Sequence, residues 1–272
     1  MPTCQPADVH VPLGTDEIAV SYQLTEALDA AALGAMAAVL TVEERARRDR
    51  FVFDRDRRDF VVAHALVRRM LSRYGETSPE DWRFDIDVHG KPSVVRGQAG
   101  MPPLVFNLSH THGLVACAVA RGTSLGIDVE RVDRMTLGPE IAARYFAGPE
   151  IRMLNAHPPE QYAGRFIELW TLKEAYIKAV GTGLAHALDS FAFAFEGESG
   201  LQFAAPPGVA ASDWQFLLAA PAANYRLGIA VSGSGVRPWR ITMQRTGPEA
   251  GAAVRPLRWS LPLQGLAARV NQ

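Results

Sequence analysis

Apolar and polar residues alternate through Asp16–Leu24, and apolar residues recur at helical spacing through Phe60–Tyr74. A period of two marks a strand with one buried face, and recurrence at three and four marks a helix with one apolar stripe. The first part of the chain therefore reads as a strand over Asp16–Leu24, an Ala-rich helix over Glu26–Leu40 and a further helix starting at Thr41. Thr41 followed by Glu44 has the spacing of a capping box, in which each side chain takes the other residue's backbone N–H. The dense charges of Asp49–Arg58 run into the helix Phe60–Tyr74, which stops at Gly75. Short strands follow around Trp82–Val88, Leu104–Leu108 and Val115–Ala120, with Gly90-Lys91-Pro92 as a turn and Gly97–Pro103 as a connection.

The order then repeats. A strand over Ser124–Val129 precedes helices through Arg144 and over Glu150–Asn155, and a long helix covers Glu160–Val180. Strands come next at Phe191–Phe195, Trp214–Leu218, Tyr225–Val231 and Trp239–Met243. Phe60 precedes Gly75 by the same interval as Phe166 precedes Gly181, which suggests a duplication. The expected fold is α+β: two similar halves, residues 1–121 and 122–245, each a long helix packed on a small antiparallel sheet. The Gly-, Pro- and Ala-rich stretch 246–272 is expected to be an irregular tail.

Composition narrows the function classes. With 48% hydrophobic and 21% charged residues the chain has an ordinary globular balance. A formal net charge of -1 excludes the global basic field of a nucleic-acid binder, so any phosphate-binding surface is local. Cys4 and Cys117 are too few and too far apart for a disulfide framework or a zinc site. Cys117 sits in the apolar run Leu114–Ala120 and reads as core. Met1–Asp16 has no signal-peptide pattern, and the apolar stretch Ala30–Leu40 is short of a membrane span, so the expected compartment is the cytoplasm.

Four clusters carry candidate chemistry. In Leu125-Gly-Ile-Asp-Val-Glu130, strand alternation projects Asp128 and Glu130 to one side, where the two carboxylates repel unless a cation lies between them. A solvated strand end pairing with Arg131 and Arg134 accounts for the same hexapeptide. On the long helix, Phe166, Leu169, Trp170, Lys173, Ile177 and Val180 form one stripe, with Glu174 beside it and Lys178 one turn on. A surface Glu-to-Lys pair explains Lys178, but leaves Lys173 and Glu174 facing the apolar side, where each needs a partner or a function. Phe106-Asn-Leu-Ser-His-Thr-His-Gly113 reads as a polar interruption between two strands, suited to anion binding by Ser109, His110 and turn N–H groups, or simply as a polar hairpin. The basic run Arg45–Arg58 is interleaved with acids, and Arg68 on the following helix has the bidentate geometry for a phosphate.

Together these clusters resemble the 4′-phosphopantetheinyl transferases of the surfactin-synthetase-activating type. The likeness rests on Gly126-Ile-Asp-Val-Glu130, Trp170-Thr-Leu-Lys-Glu-Ala-Tyr-Ile-Lys178, Asn107-Leu-Ser-His110 and Gly90-Lys-Pro92, in the family's order, over roughly residues 40–195. It implies a pseudo-twofold monomer with coenzyme A in the cleft between halves. It also implies an apo acyl carrier protein or peptidyl carrier domain as partner, with neither nucleic acid nor membrane involved. Asp128, Glu130 and Glu174 would hold Mg²⁺, with Mn²⁺ as an alternative, against the pyrophosphate. Glu174 would take the proton of the carrier's serine, and Lys178 would stabilise the leaving phosphate. Trp170 and Lys173 would shape the metal site and contact phosphate. Ser109, His110 and Arg68 would bind the 3′-phosphate, and Lys91 and Pro92 would border the adenine. One departure stands out: Asp54 occupies a place where such relatives carry lysine, leaving Arg55, Arg57 or Arg58 to substitute. A metal-dependent phosphodiesterase also gathers carboxylates, but gives no reason for the Asn107–His110 and Gly-Lys-Pro segments. A carrier-binding module with a degenerate site gives no reason to keep all three carboxylates and Lys178.

Overall fold

The computed structural model describes residues 11–98, 100, 102–133, 139–183, 187–233, 238–247 and 254–260. Cys4, Arg134 and most of the expected tail lie outside the described residues. The alternation near the start becomes β1 (Glu17–Leu24), in which Ile18, Val20 and Tyr22 share one face and Ala19 lies on the other. The expected Ala-rich helix is shorter, α1 (Ala30–Ala37), because Asp29 caps it by accepting the Ala32 N–H at 2.7 Å. The Thr41–Glu44 capping box is present and opens α2 (Val42–Arg48). The next helix starts earlier than its apolar stripe, as α3 (Asp54–Tyr74), with Asp54 and Asp56 in the first turn, where acids favour the helix dipole.

A two-stranded ribbon, β2 (Phe84–Ile86) and β3 (Pro92–Val94), follows, and then the hairpin β4 (Leu104–Thr111) and β5 (Leu114–Arg121). β6 (Leu125–Arg131) leads to α4 (Pro139–Tyr145), α5 (Gly148–Asn155) and the long α6 (Pro159–Val180). The remaining strands are β7 (Ala192–Glu196), β8 (Gly200–Ala204), β9 (Trp214–Ala220), β10 (Tyr225–Ser232), β11 (Arg240–Arg245) and β12 (Arg255–Ser260).

Two sheets form the middle of the molecule, ordered β11-β1-β5-β4 and β6-β10-β9-β12-β8-β7. α3 packs on the outer face of the first sheet through Val62, Leu66, Met70 and their neighbours. α6 packs on the outer face of the second through Phe166, Leu169, Leu172 and Tyr176. Between the sheets, Ile18, Val20 and Tyr22 meet Ile127, Val129, Leu227 and Ile229 in a third core. The layers thus run helix, sheet, sheet, helix, and β5 is buried on both faces.

Two expectations about the far end of the chain are corrected. β11, placed by sequence in the second half, pairs parallel to β1 and so belongs to the first sheet. The segment expected to be an irregular tail contains β12, which inserts between β9 and β8 and pairs parallel to β8. Both sheets are therefore mixed rather than purely antiparallel.

Candidate active site

β6 and α6 meet unusually closely. Leu125, Ile127 and Val129 point into the inter-sheet core, so Gly126, Asp128 and Glu130 face the helix. A Cβ at Gly126 would lie 2.0 Å from the Ala175 carbonyl oxygen, and one at Gly228 on β10 would lie 2.7 Å from that of Thr171. Only glycine permits that approach, and it brings Glu174 and Lys178 beside Asp128.

Asp128 is buried, at 4% exposure. Its Oδ1 receives the Lys178 ammonium at 2.7 Å and the Ser109 hydroxyl at 2.9 Å, while Oδ2 is buried with no partner. Burial, and then the negative charge of Asp128, push the Glu174 carboxyl above its usual range, with Lys178 pulling partly back. Glu130 is half-buried on the same face, in register with Arg226 of β10. Among the described residues no three Asp, Glu, His or Cys side chains stand in metal-binding geometry, so Asp128, Glu130 and Glu174 do not form a ready-made cage. Mg²⁺ does not need one, because it commonly takes one or two carboxylates and completes its shell with water and substrate phosphate. The orphaned Oδ2 and the raised Glu174 are what a hard cation would satisfy.

Asn107–His110 is not a turn but the second half of β4. Asn107 Oδ1 accepts the Ile127 N–H at 2.8 Å, and Ser109 Oγ accepts the Val129 N–H at 3.2 Å. These side chains satisfy the edge of β6 that β10 leaves open, and so rivet the two sheets together. Ser109 also receives Lys178 at 2.9 Å. His110 leaves the strand on the opposite face, as consecutive strand residues must, so the two do not grip one phosphate together.

Two expected phosphate ligands are structural instead. Lys173 is fully buried against Glu150 at 2.8 Å and donates to the Leu188 and Phe191 carbonyls at 2.7 and 2.8 Å. Glu150 in turn accepts the Phe193 and Ala147 N–H groups, so the pair ties α5, α6 and β7 together. Arg68 is 2% exposed and gives its donors to Glu44, Pro79 and Trp82, with its guanidinium over the Phe84 ring. Nε, Nη1 and one N–H of Nη2 are thus spent on protein acceptors. Trp170 stacks on Phe166 at 6.1 Å and meets Tyr145 and Phe146, and belongs to the apolar stripe.

The open basic groups lie elsewhere. A cleft of about 720 Å³ between α3 and β4 is lined by Arg47, Arg55, His64, His110 and Arg131, with Phe60 on its wall. His64 binds Glu44 at 2.9 Å through Nδ1 and lies tilted against the Phe60 ring at 4.1 Å. Burial opposes the Glu44 charge, but hydrogen bonds from His64, Arg68 and the Thr41 backbone outweigh it and hold its carboxyl at about 2. Desolvation lowers the His110 pKa; the ring also senses Asp59, Lys178 and Asp128, which places this cleft beside the carboxylate site. Of the three arginines near Asp54, Arg57 pairs with Asp54 itself, Arg58 holds the Thr25 and Leu28 carbonyls, and Arg55 lines the cleft with a long contact to Asp56 at 3.5 Å. Lys91 and Pro92 line a separate cavity of about 650 Å³, where the Lys91 ammonium caps the Lys178 and Ala179 carbonyls at the end of α6.

Sequence reasoning missed Glu150, Arg47 and His64. For Glu150 a signal existed: Lys173 in an apolar stripe demands a buried acid, and Glu150 opens the preceding helix. For Arg47 and His64 none stood out from the surrounding charges.

Family profiles and relatives match most of the chain. Residues 124–230 match the profile of the 4′-phosphopantetheinyl transferase superfamily, and residues 29–122 match that of the 4′-phosphopantetheinyl transferase N-terminal region. The chain is 33% identical over 203 residues to the 4′-phosphopantetheinyl transferase HetI of Nostoc sp., covering 75% of this chain and 83% of that one. It is 34% identical over 152 residues to the 4′-phosphopantetheinyl transferase Sfp of Bacillus subtilis, covering 56% and 65% respectively. A solved structure, the holo-[acyl-carrier-protein] synthase of Thermotoga maritima, aligns with TM-score 0.33 and 21% identity over 41% of this chain and 64% of that one, a likeness too partial to carry weight. The protein is an enzyme of the transferase class. It belongs to the 4′-phosphopantetheinyl transferase superfamily. No helix among the described residues is long and apolar enough to cross a membrane.

Proposed function

We propose that this chain transfers the 4′-phosphopantetheine group of coenzyme A to a serine hydroxyl of an apo acyl carrier protein or peptidyl carrier domain. The reaction is Mg²⁺-dependent, runs in the cytoplasm on a monomer, and releases adenosine 3′,5′-bisphosphate. The observation that carries the reading is a desolvated Glu174 beside Asp128, whose Oδ2 is unpartnered, with Lys178 on the other oxygen.

A carboxylate with a raised pKa is a stronger base than one in water. Glu174 takes the proton of the serine hydroxyl as that oxygen bonds to the β-phosphorus. The bond from this phosphorus to the bridging oxygen breaks, and the negative charge settles on the departing phosphate. Lys178 meets that charge, and its ammonium is already poised on the site's floor. Asp128, Glu130 and Glu174 are the residues that would hold Mg²⁺, which when bound supplies charge neutralisation at the pyrophosphate. Arg47 and Arg55 give the neighbouring cleft the charge for the 3′-phosphate, with His64 and His110 beside them as hydrogen-bonding groups, and Lys91 with Pro92 borders the adenine. Positioning and charge are what phosphoryl transfer asks of a protein.

Intact-mass measurement of apo carriers from several pathways, incubated with the enzyme, coenzyme A and Mg²⁺, tests the reading. One added phosphopantetheine on a serine is expected with at least one carrier. No mass gain with any of them contradicts it.

A further inference from the structure

We propose that Arg165 and Arg258 form an anion site, for a small oxyanion of the phosphate class, near the start of α6 and apart from the carboxylate site. Arg165 precedes Glu174 by more than two helical turns, about 13 Å along the axis. This site is independent of the reaction proposed above.

Arg258 comes from β12, beyond the stretches 29–122 and 124–230 that match the family profiles. It stands opposite Leu218 of β9, which belongs to the core beneath α6, so its side chain is turned toward that helix. Arg258 is 7% exposed, and among the described residues no carboxylate lies at ion-pair distance from it. Its Nη1 donates to the Gly197 and Gly200 carbonyls at 3.3 Å each, long bonds for a charged donor, and its guanidinium lies over the Phe195 ring at 4.3 Å. Nε and Nη2 have no acceptor among the described residues.

The neighbouring charges deepen the shortage. Arg165 lies over the same Phe195 ring at 5.6 Å. Glu168 is buried beside them but already shared, by Arg165 at 2.6 Å and Arg226 at 3.3 Å. Burial, and then the charge of Arg165, push the Arg258 pKa down, with Glu168 pulling partly back. A buried cation without a counter-ion is costly, and an anion held between Arg258 and Arg165 removes that cost. Guanidinium forks suit phosphate oxygens, and Arg165, with 26% of its side chain exposed, gives the site its opening to solvent.

Thermal melts of the full-length wild type, Arg258→Met and Arg165→Gln test the site, in about 10 mM sodium phosphate and in sodium chloride of equal ionic strength. Methionine keeps the apolar stem of the arginine, and glutamine keeps a donor for Glu168. Phosphate taken up by the cleft near Arg47 shifts every protein alike and cancels in the comparison. The phosphate-dependent rise in Tm is expected to be about 3 °C larger in the wild type than in either variant. In chloride, Arg258→Met is expected to melt within about 2 °C of the wild type, because it loses long bonds but sheds an unpaired charge.

Equal rises in all three proteins overturn the proposal, because the phosphate is then held elsewhere. A wild type that gains nothing from phosphate overturns it as well. So does an Arg258→Met that melts below the wild type by the same margin in both salts, which reduces Arg258 to a joint between β12 and the β7–β8 turn. If Arg258→Met does not fold, Arg165→Gln decides alone, because Arg165 lies at the surface end of the site.

Discussion

Lys173 and Lys178 lie on one helix, little more than a turn apart, and meet opposite fates. Lys173 is sealed: it and Glu150 are both at 0% side-chain exposure, and every donor has a protein acceptor. Lys178 is open: its side chain is 30% exposed, and the carboxylate it meets has an oxygen with no partner. A buried pair with a complete partner set holds the fold and has nothing left to offer a substrate. A pair with an incomplete set, reachable from outside, has that capacity. The arginines divide in the same way, Arg68 sealed by Glu44 and carbonyls, Arg47 open on the cleft.

The largest expected effect is at the open end. Glu174→Gln should lower kcat by about 10²- to 10⁴-fold, the range for a lost general base, while its circular dichroism spectrum stays that of the wild type. Full activity would remove Glu174 as the base. At the sealed end, Glu150→Ala strands the Lys173 charge and is expected to cost about 3–5 kcal/mol in urea unfolding. Glu150→Leu with Lys173→Met should recover much of that loss; if the double variant is as unstable as the single, the pair is not simply a buried-charge problem. Among the arginines, Arg47→Ala should weaken coenzyme A binding about tenfold with little change in Tm, as for one charged hydrogen bond of about 1.5 kcal/mol. An unchanged Kd would place the anion elsewhere.

The smallest effects are in pH dependence, and their signs differ. Glu44 is held at about 2 against a usual 4.5, so the unfolded chain binds its proton first as pH falls. Its stabilisation is present above pH 4.5 and is lost as pH drops toward 2. Glu174 is raised above 4.5, so the folded state keeps its proton longer, and stability declines as pH rises through the folded value. In thermal melts, Glu44→Gln should remove stability at neutral pH but not near pH 2, whereas Glu174→Gln should raise Tm by a few degrees above pH 4.5. Parallel shifts in both variants would contradict the distinction.

Much of this was legible beforehand. Periodicity found α3, α6 and most strands, because their apolar stripes are long and regular. Strand alternation and helical spacing gave the faces that Asp128, Glu174 and Lys178 occupy, and the family resemblance implied that the two faces meet. What escaped were features that need the tertiary partner. Asn107–His110 looked like a loop because polar side chains in a strand ordinarily signal exposure, whereas here they close the edge of another sheet. β12 hid in a Gly/Pro/Ala-rich stretch because β9 and β8, flanking it, supply its pairing. Lys173 and Arg68 looked like ligands because their acceptors, Glu150 and Glu44, come from other helices.

The most direct measurement is an intact-mass time course of an apo carrier protein with coenzyme A and Mg²⁺, run with wild type and Glu174→Gln at equal concentration. The wild type should convert the carrier to the form bearing one phosphopantetheine, and the variant should lag by about 10²-fold or more. Equal conversion by the two proteins would contradict the claim that the open end of α6 performs the chemistry.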